Sequence, residues 1–361
     1  MSDAQESGTD DNRAAAPTEQ TRPLKAPVDG VPDVVAEHAA LRAAAAALAV
    51  GHGPVAIDTE RASGYRYSQR AYLVQLRRCG AGSFLIDPIA LHGDVHALAQ
   101  AINDTEWVLH AATQDLPCLA ELGLHPATLF DTELAGRLAG FDRVALGTMT
   151  AVVLGYALEK GHGAADWSRR PLPADWLNYA ALDVELLIEL RAALRTELMR
   201  QGKLDWAMAE FEAIRTAPPK PPRTEPWRRT SGIHKIRQPR QLAAVRALWE
   251  AREELAKRRD IAPGRVLPDR AIVDAAVNDP PTITELMALA VFRGRSQRRI
   301  AATWFDALRR ARVLPKSELP SSTQHTDGPP SPSRWDERDP AAAARLHAAR
   351  ASISELSDVH H

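Results

Sequence analysis

Apolar residues along this chain fall into two regimes of periodicity, separated and flanked by stretches with none. Residues 1–33 show no apolar period and are rich in Asp, Glu, Thr, Pro and Ala, so they read as a disordered lead-in. From about Val35 the pattern changes. An Ala-rich helix over 39–49 leads into short apolar runs at 54–57, 72–76 and 84–86, each bounded by Gly, Ser, Asp or Pro, which predict three sequential strands. A helix over 95–102, a strand over 107–110 and a helix over 114–122 follow. Strands first, then helix, strand and helix, predict an α/β domain with a mixed sheet and flanking helices. Further helices are expected at 146–154 and 173–199, the latter amphipathic with Leu182, Leu186, Leu190 and Leu194 four residues apart.

Residues 217–226 carry too many prolines to continue a helix and predict a stiff spacer, so the first domain is placed at 34–216 and a basic linker at 217–234. Beyond it the period returns to that of helices, at 241–258 with Leu242, Val245, Leu248, Trp249 and Leu255 inward, then at 269–276, 284–289 and 296–309. These form a small all-α bundle over 235–313. A second Pro/Ser-rich linker covers 314–335. Within 336–361, Leu346, Ala349, Arg350, Asp358 and Val359 repeat Leu248, Ala251, Arg252, Asp260 and Ile261 at an offset of 98 residues, after a similar Arg-x-Pro start. The stretch reads either as the opening of a second, incomplete copy of the bundle or as chance likeness between two Ala/Arg-rich helices.

With 361 residues the chain is long enough for one full domain and a smaller one. A content of 45% hydrophobic and 25% charged residues is that of a globular protein, and no run approaches the roughly 20 apolar residues of a membrane span. No membrane association and a cytoplasmic location are expected. Cys79 and Cys118 are the only cysteines, too few for a disulfide framework or a cysteine-based zinc site. The net charge of −1 hides an asymmetry. Residues 1–219 hold 19 basic against 29 acidic groups, residues 220–312 hold 21 against 10, and the tail 5 against 7. A basic module attracts polyanions through phosphate neutralisation, whereas an acidic one that handles a polyanion needs metal ions to do so.

Three segments carry candidate chemistry. Val55-Ala56-Ile57-Asp58-Thr59-Glu60 is an apolar strand ending in two carboxylates on one face, since strand side chains alternate. Such a pair repels unless a cation lies between, and its oxygens suit Mg²⁺ or Mn²⁺. Alone, it is also a common solvated turn. After the strand Trp107-Val108-Leu109-His110 come small residues and then Asp115, which by itself could be an ordinary helix N-terminal charge. In Tyr179-Ala180-Ala181-Leu182-Asp183, Tyr179 and Asp183 lie one turn apart on a helix face.

Taken in order, the three resemble the DEDD superfamily of 3′–5′ exonucleases, in the subgroup with Tyr four residues before the last Asp. Within it the chain resembles the ribonuclease D family, through Leu73-Val74-Gln75-Leu76, Leu109-His110-Ala111, Asp166-Trp167-Ser168-Arg169-Arg170-Pro171-Leu172 and Tyr179-Ala180-Ala181-Leu182-Asp183. The basic bundle is similar to the HRDC module. The resemblance implies a ribonuclease H-like exonuclease domain followed by an HRDC bundle. It also implies a two-metal site of Asp58, Glu60, Asp115 and Asp183 with Tyr179 orienting the attacking water, and an RNA substrate with a 3′ end, tRNA precursors among them. Two ions about 3.5–4 Å apart can serve the attacking water and the leaving oxygen alike. Gln75, His110 and Lys160 are candidate substrate contacts, as are Arg293, Arg295 and Arg298 with Arg299 around Gly294. Trp167, Tyr65, Tyr67 and Tyr72 are candidates for base stacking. A monomer is expected. A DNA exonuclease of the same superfamily and an inactive nucleic-acid-binding module are the alternatives, the latter disfavoured because all four acids and the Tyr are present.

Overall fold

Local sequence sets the strands of the first part of the chain, and their pairing decides where loops can meet. The computed structural model describes residues 21–159, 161–322 and 332–360. These divide into two units. The first holds the described residues up to Ala62 together with Gln69–Pro219, and the second holds Ser63–Ser68 and the described residues from Lys220 onward.

In chain order the first unit runs β1 (Arg22–Leu24), β2 (Val34–Val35), α1 (His38–Val50), β3 (His52–Glu60), β4 (Leu73–Cys79), β5 (Gly82–Ile86), α2 (His96–Ile102), β6 (Glu106–Leu109), α3 (Leu116–Ala120), β7 (Thr128–Asp131), α4 (Thr132–Leu138), α5 (Leu146–Met149), β8 (Tyr156–Leu158), α6 (Ala174–Glu185), α7 (Leu187–Arg200) and α8 (Leu204–Thr216). Six strands form one sheet in the order β2-β5-β4-β3-β6-β7. β3 is antiparallel to β4 but parallel to β6, and β6 is parallel to β7. The carboxyl ends of β3, β6 and β7 therefore leave the sheet on the same edge, the side on which open α/β sheets build their sites. Val55, Ala56 and Ile57 are fully buried, as expected of a central strand covered on both faces, and pack in a core with Leu48, Leu76, Trp107, Phe130, Leu190 and Leu194. The mixed sheet with flanking helices expected from the sequence is the architecture found.

Three expectations are corrected. Residues 21–33 are not a structureless lead-in: β1 pairs in parallel with β8, Val28 N donates to Glu185 Oε1 at 3.1 Å, and Lys25 O accepts from Asn178 Nδ2 at 2.8 Å. This segment lacks a period because it is held by backbone pairing and polar bonds rather than by a buried face. The expected lead-in over 1–20 lies outside the described residues. The helix expected over 173–199 is two helices, broken at Leu186 where the backbone leaves the helical region (φ −114°, ψ 8°). The stretch 146–154 is α5 followed by a π-helical turn, Thr150–Leu154.

The second unit is helical, with α9 (Pro239–Arg259), α10 (Pro263–Val266), α11 (Asp269–Asn278), α12 (Ile283–Ala288), α13 (Arg295–Arg298) and α14 (Ala301–Val313). Leu242, Val245, Leu248 and Leu255 are buried as their spacing predicts, against Ile272, Leu286, Phe292 and Trp304. Gln297 links two elements: its Oε1 accepts from Trp304 Nε1 at 2.9 Å and its Nε2 donates to Val266 O at 2.8 Å. Trp227, in the stretch read as linker, is buried in this core. Pro340–His360 forms one 21-residue helix. It continues through Asp358, whereas α9 stops at Asp260 in a left-handed conformation (φ 48°), so that element of the repeat is not kept.

Candidate active site

β3 delivers the first two acids. Because side chains alternate along the strand, Asp58 and Glu60 share a face and Thr59 points the other way. α6 crosses β3, β4 and β5 and brings Asp183, with Tyr179 one turn before it. Asp58, Glu60 and Asp183 offer carboxylate oxygens that all lie within 4.8 Å of one another. Burial and mutual repulsion both disfavour their charged forms. Glu60, which is almost fully buried, is pushed up to about 10 by desolvation and then by Asp58 and Asp183. Asp58 is raised well above the carboxylate range by burial, Asp115 and Asp183, and Asp183 is raised by burial. Three oxygen donors that cannot all stay ionised without a cation fit a hard divalent ion.

Asp115 reaches the site differently. After β6 the chain turns through Ala111, a non-glycine residue in the left-handed region (φ 62°), and a 3₁₀ turn over Ala112–Gln114. Asp131, at the end of β7, holds this turn. Its carboxylate accepts from the backbone N–H of Ala111 (3.0 Å) and Ala112 (2.9 Å), while also capping α4 through Glu133 and Leu134. The placement of Asp115 thus depends on a residue that the sequence reading did not single out. Asp115 Oδ1 accepts from Thr59 Oγ1 at 2.7 Å and lies 3.7 Å from Arg61 Nη2. Cys118, beside them, has its thiol pushed up to about 11 by burial, which leaves it unreactive.

The Tyr179 phenol is raised far above its ordinary value by burial and by the neighbouring acids, and its hydroxyl donates to Asp183. A small cleft of about 80 Å³ beside it is lined by Glu159, His162, Asp175, Asn178 and Tyr179. Gly161 and Gly163 pack against the Tyr179 ring edge and hydroxyl, where an added Cβ would come within 3.6 and 3.4 Å.

Other sequence candidates fall elsewhere. Gln75 is fully buried, paired across the strands with Asp58, and neither of its amide atoms finds a hydrogen-bond partner, so it lies beneath the acids and not on a substrate surface. His110 Nδ1 bonds to Thr132 Oγ1 at 2.9 Å and burial lowers its pKa, committing the ring to the start of α4. Lys160 lies outside the described residues. Trp167 and Tyr72 are core side chains, which removes them as stacking platforms. The phrase around Trp167 is structural: Arg170 clamps Asp87 through two bonds (2.7 and 2.9 Å) and donates to Tyr72 O. Tyr65 and Tyr67 group with the second unit, Tyr65 under Arg265 at 4.0 Å. Arg293, Arg295, Arg298 and Arg299 are exposed on that unit.

A mixed sheet that converges acids from β3, the turn after β6 and α6 defines the class of 3′–5′ exonucleases. Residues 32–199 match the 3′–5′ exonuclease family, residues 241–308 the HRDC domain, and residues 328–361 the 3′ to 5′ exonuclease C-terminal domain. A ribonuclease D of Gluconacetobacter diazotrophicus is 33% identical over 77% of this chain and 72% of its own length. One of Granulibacter bethesdensis is 32% identical over 84% and 76%. A structure of a Bifidobacterium adolescentis protein matches with a TM-score of 0.88 at 39% identity, covering 94% of this chain and 87% of that one. The structure of Escherichia coli RNase D, described as an exoribonuclease involved in structured RNA processing, matches with a TM-score of 0.68 at 26% identity, covering 91% and 85%. The chain belongs to the ribonuclease D family, and it is a 3′–5′ exonuclease.

Proposed function

We propose that the chain removes nucleotides one at a time from the 3′-hydroxyl end of RNA by metal-assisted hydrolysis, releasing nucleoside 5′-monophosphates. The observation that carries this is the convergence of Asp58, Glu60 and Asp183, from β3 and α6, on one point. When bound, two divalent ions, Mg²⁺ or Mn²⁺, supply an acidified water and charge on the leaving 3′-oxygen. Asp58, Glu60, Asp183 and Asp115 would hold these ions, Asp58 serving both, Glu60 and Asp183 the side of the attacking water, and Asp115 the side of the leaving group. Tyr179 stays protonated at neutral pH and its O–H is given to Asp183, so it orients the attacking water by accepting a hydrogen bond from it and is not the base.

The names of the relatives support RNA as the substrate, and the family resemblance supports trimming of tRNA precursors and other structured RNA. Arg293, Arg295 and Arg298, on a module with 21 basic and 10 acidic groups over 220–312, are assigned to the RNA backbone. The helix Pro340–His360 is read as the opening of a second helical module. Among the described residues no helix is long and apolar enough to cross a membrane. The test is a 3′-hydroxyl RNA, the same RNA with a 3′-phosphate, and DNA of the same sequence, each with Mg²⁺ or EDTA. Mononucleotide release from the 3′-hydroxyl RNA with Mg²⁺ alone is expected, and release in EDTA or faster digestion of the DNA would contradict the reading.

A further inference from the structure

The acids of the site are not held alike. Asp58, Glu60 and Asp183 lie together, while Asp115 is engaged by β3 itself. Thr59 and Arg61, on either side of Glu60, both address Asp115 Oδ1, at 2.7 and 3.7 Å. The Asp115 side chain is 7% exposed and that of Arg61 26%, so the guanidinium borders solvent while its partner does not. A neutral hydroxyl can keep its bond to a metal-bound carboxylate, whereas a guanidinium next to that oxygen repels an incoming cation.

Charge counting indicates where Arg61 goes next. Two divalent ions would satisfy Asp58, Glu60, Asp115 and Asp183, and Arg61 would then be left at the rim without Asp115 as its partner. A phosphodiester brings one negative charge, and the guanidinium fork matches its two free oxygens.

We propose that Arg61 competes with the second divalent ion for Asp115 and, once displaced, binds the phosphate of the 3′-terminal nucleotide. The inference rests on the two-ion reading given above. It makes Arg61 a switch between the metal-free and substrate-bound states, with opposite effects on the two ligands.

The experiment uses the full chain with Arg61→Gln and Arg61→Lys. Mn²⁺ binding is followed through the EPR signal of the free ion, without RNA, and KM and kcat are measured on a 3′-hydroxyl oligoadenylate with Mn²⁺. Arg61→Gln is expected to tighten the weaker Mn²⁺ site about fivefold and raise KM about tenfold with a smaller change in kcat. Arg61→Lys is expected to leave Mn²⁺ binding near wild type, with an intermediate KM. A residue with only a structural role would move both ligands in the same direction. Unchanged or weaker Mn²⁺ binding in Arg61→Gln, with two sites intact in the wild type, would overturn the role of Arg61 alone. A wild type that binds no Mn²⁺ would overturn the two-ion reading and this proposal with it.

Discussion

At the level of single residues, the site stores repulsion that a cation relieves. Three carboxylates within 4.8 Å in a desolvated setting disfavour the metal-free fold. Asp183→Asn removes one of those charges while keeping the shape, so it is expected to raise the melting temperature in EDTA and to lower kcat by about 10³ or more. A melt and a rate on the same preparation check this; a fall in both would mean that Asp183 serves the fold instead. Tyr179→Phe loses only the hydroxyl, and kcat is expected to fall about 10- to 100-fold with KM little changed. Gln75 offers a different test. Each unpartnered buried polar group costs roughly 1–3 kcal/mol, so Gln75→Met is expected to melt at or above the wild-type temperature, and a loss of several degrees would show that the amide has an essential partner.

Among elements, the decisive feature is that β3, β6 and β7 run parallel and end on one edge. Asp131 uses this arrangement by joining the turn after β6 to the start of α4 with four backbone bonds. Asp131→Ala is expected to cost about 2–4 kcal/mol, measured by urea unfolding, and to lower kcat by freeing Asp115. Much of this architecture was legible in the sequence. The alternation from Val55 to Glu60 located β3 and put two acids on one face, and the spacing of Tyr179 and Asp183 located the third. β7 was missed because Thr128–Asp131 is four residues long and its inward residues do not alternate. β1 was missed because three residues paired to β8 bury no face. The positioning groups Thr59, Arg61 and Asp131 could not be recognised, since what they do depends on which carboxylate oxygen the folded chain brings to them. Gln75 was misplaced for a similar reason: only the pairing of β4 with β3, which sets Gln75 opposite Asp58, shows that it lies under α6 instead of facing solvent.

In the whole molecule, charge divides by position along the chain. Residues 1–219 hold 19 basic and 29 acidic groups, and the basic excess lies over 220–312. Replacing Arg293, Arg295 and Arg298 together with Ala is expected to weaken RNA binding and to flatten its dependence on salt, while leaving the hydrolysis of a dinucleotide unchanged. Protons report on the acidic part. Burial raises the folded-state pKa of Asp58, Glu60 and Asp183, so without metal the folded chain binds more protons than the unfolded one, and stability falls as pH rises. The loss begins above about 4, the ordinary carboxylate value, and runs towards about 10, where Glu60 ionises. In EDTA the melting temperature is therefore expected to drop from about pH 5 to about pH 9, and Mg²⁺ to restore more of it at the higher pH. A flat or rising profile in EDTA would contradict the buried cluster.

The central claim, that these acids direct water onto the terminal phosphodiester of RNA, is tested most directly by mass spectrometry of the products formed in H₂¹⁸O with Mg²⁺. Nucleoside 5′-monophosphates carrying one ¹⁸O in the phosphate are predicted from the wild type and none from Asp58→Ala. Internal fragments, unlabelled product, or equal release by Asp58→Ala would contradict it.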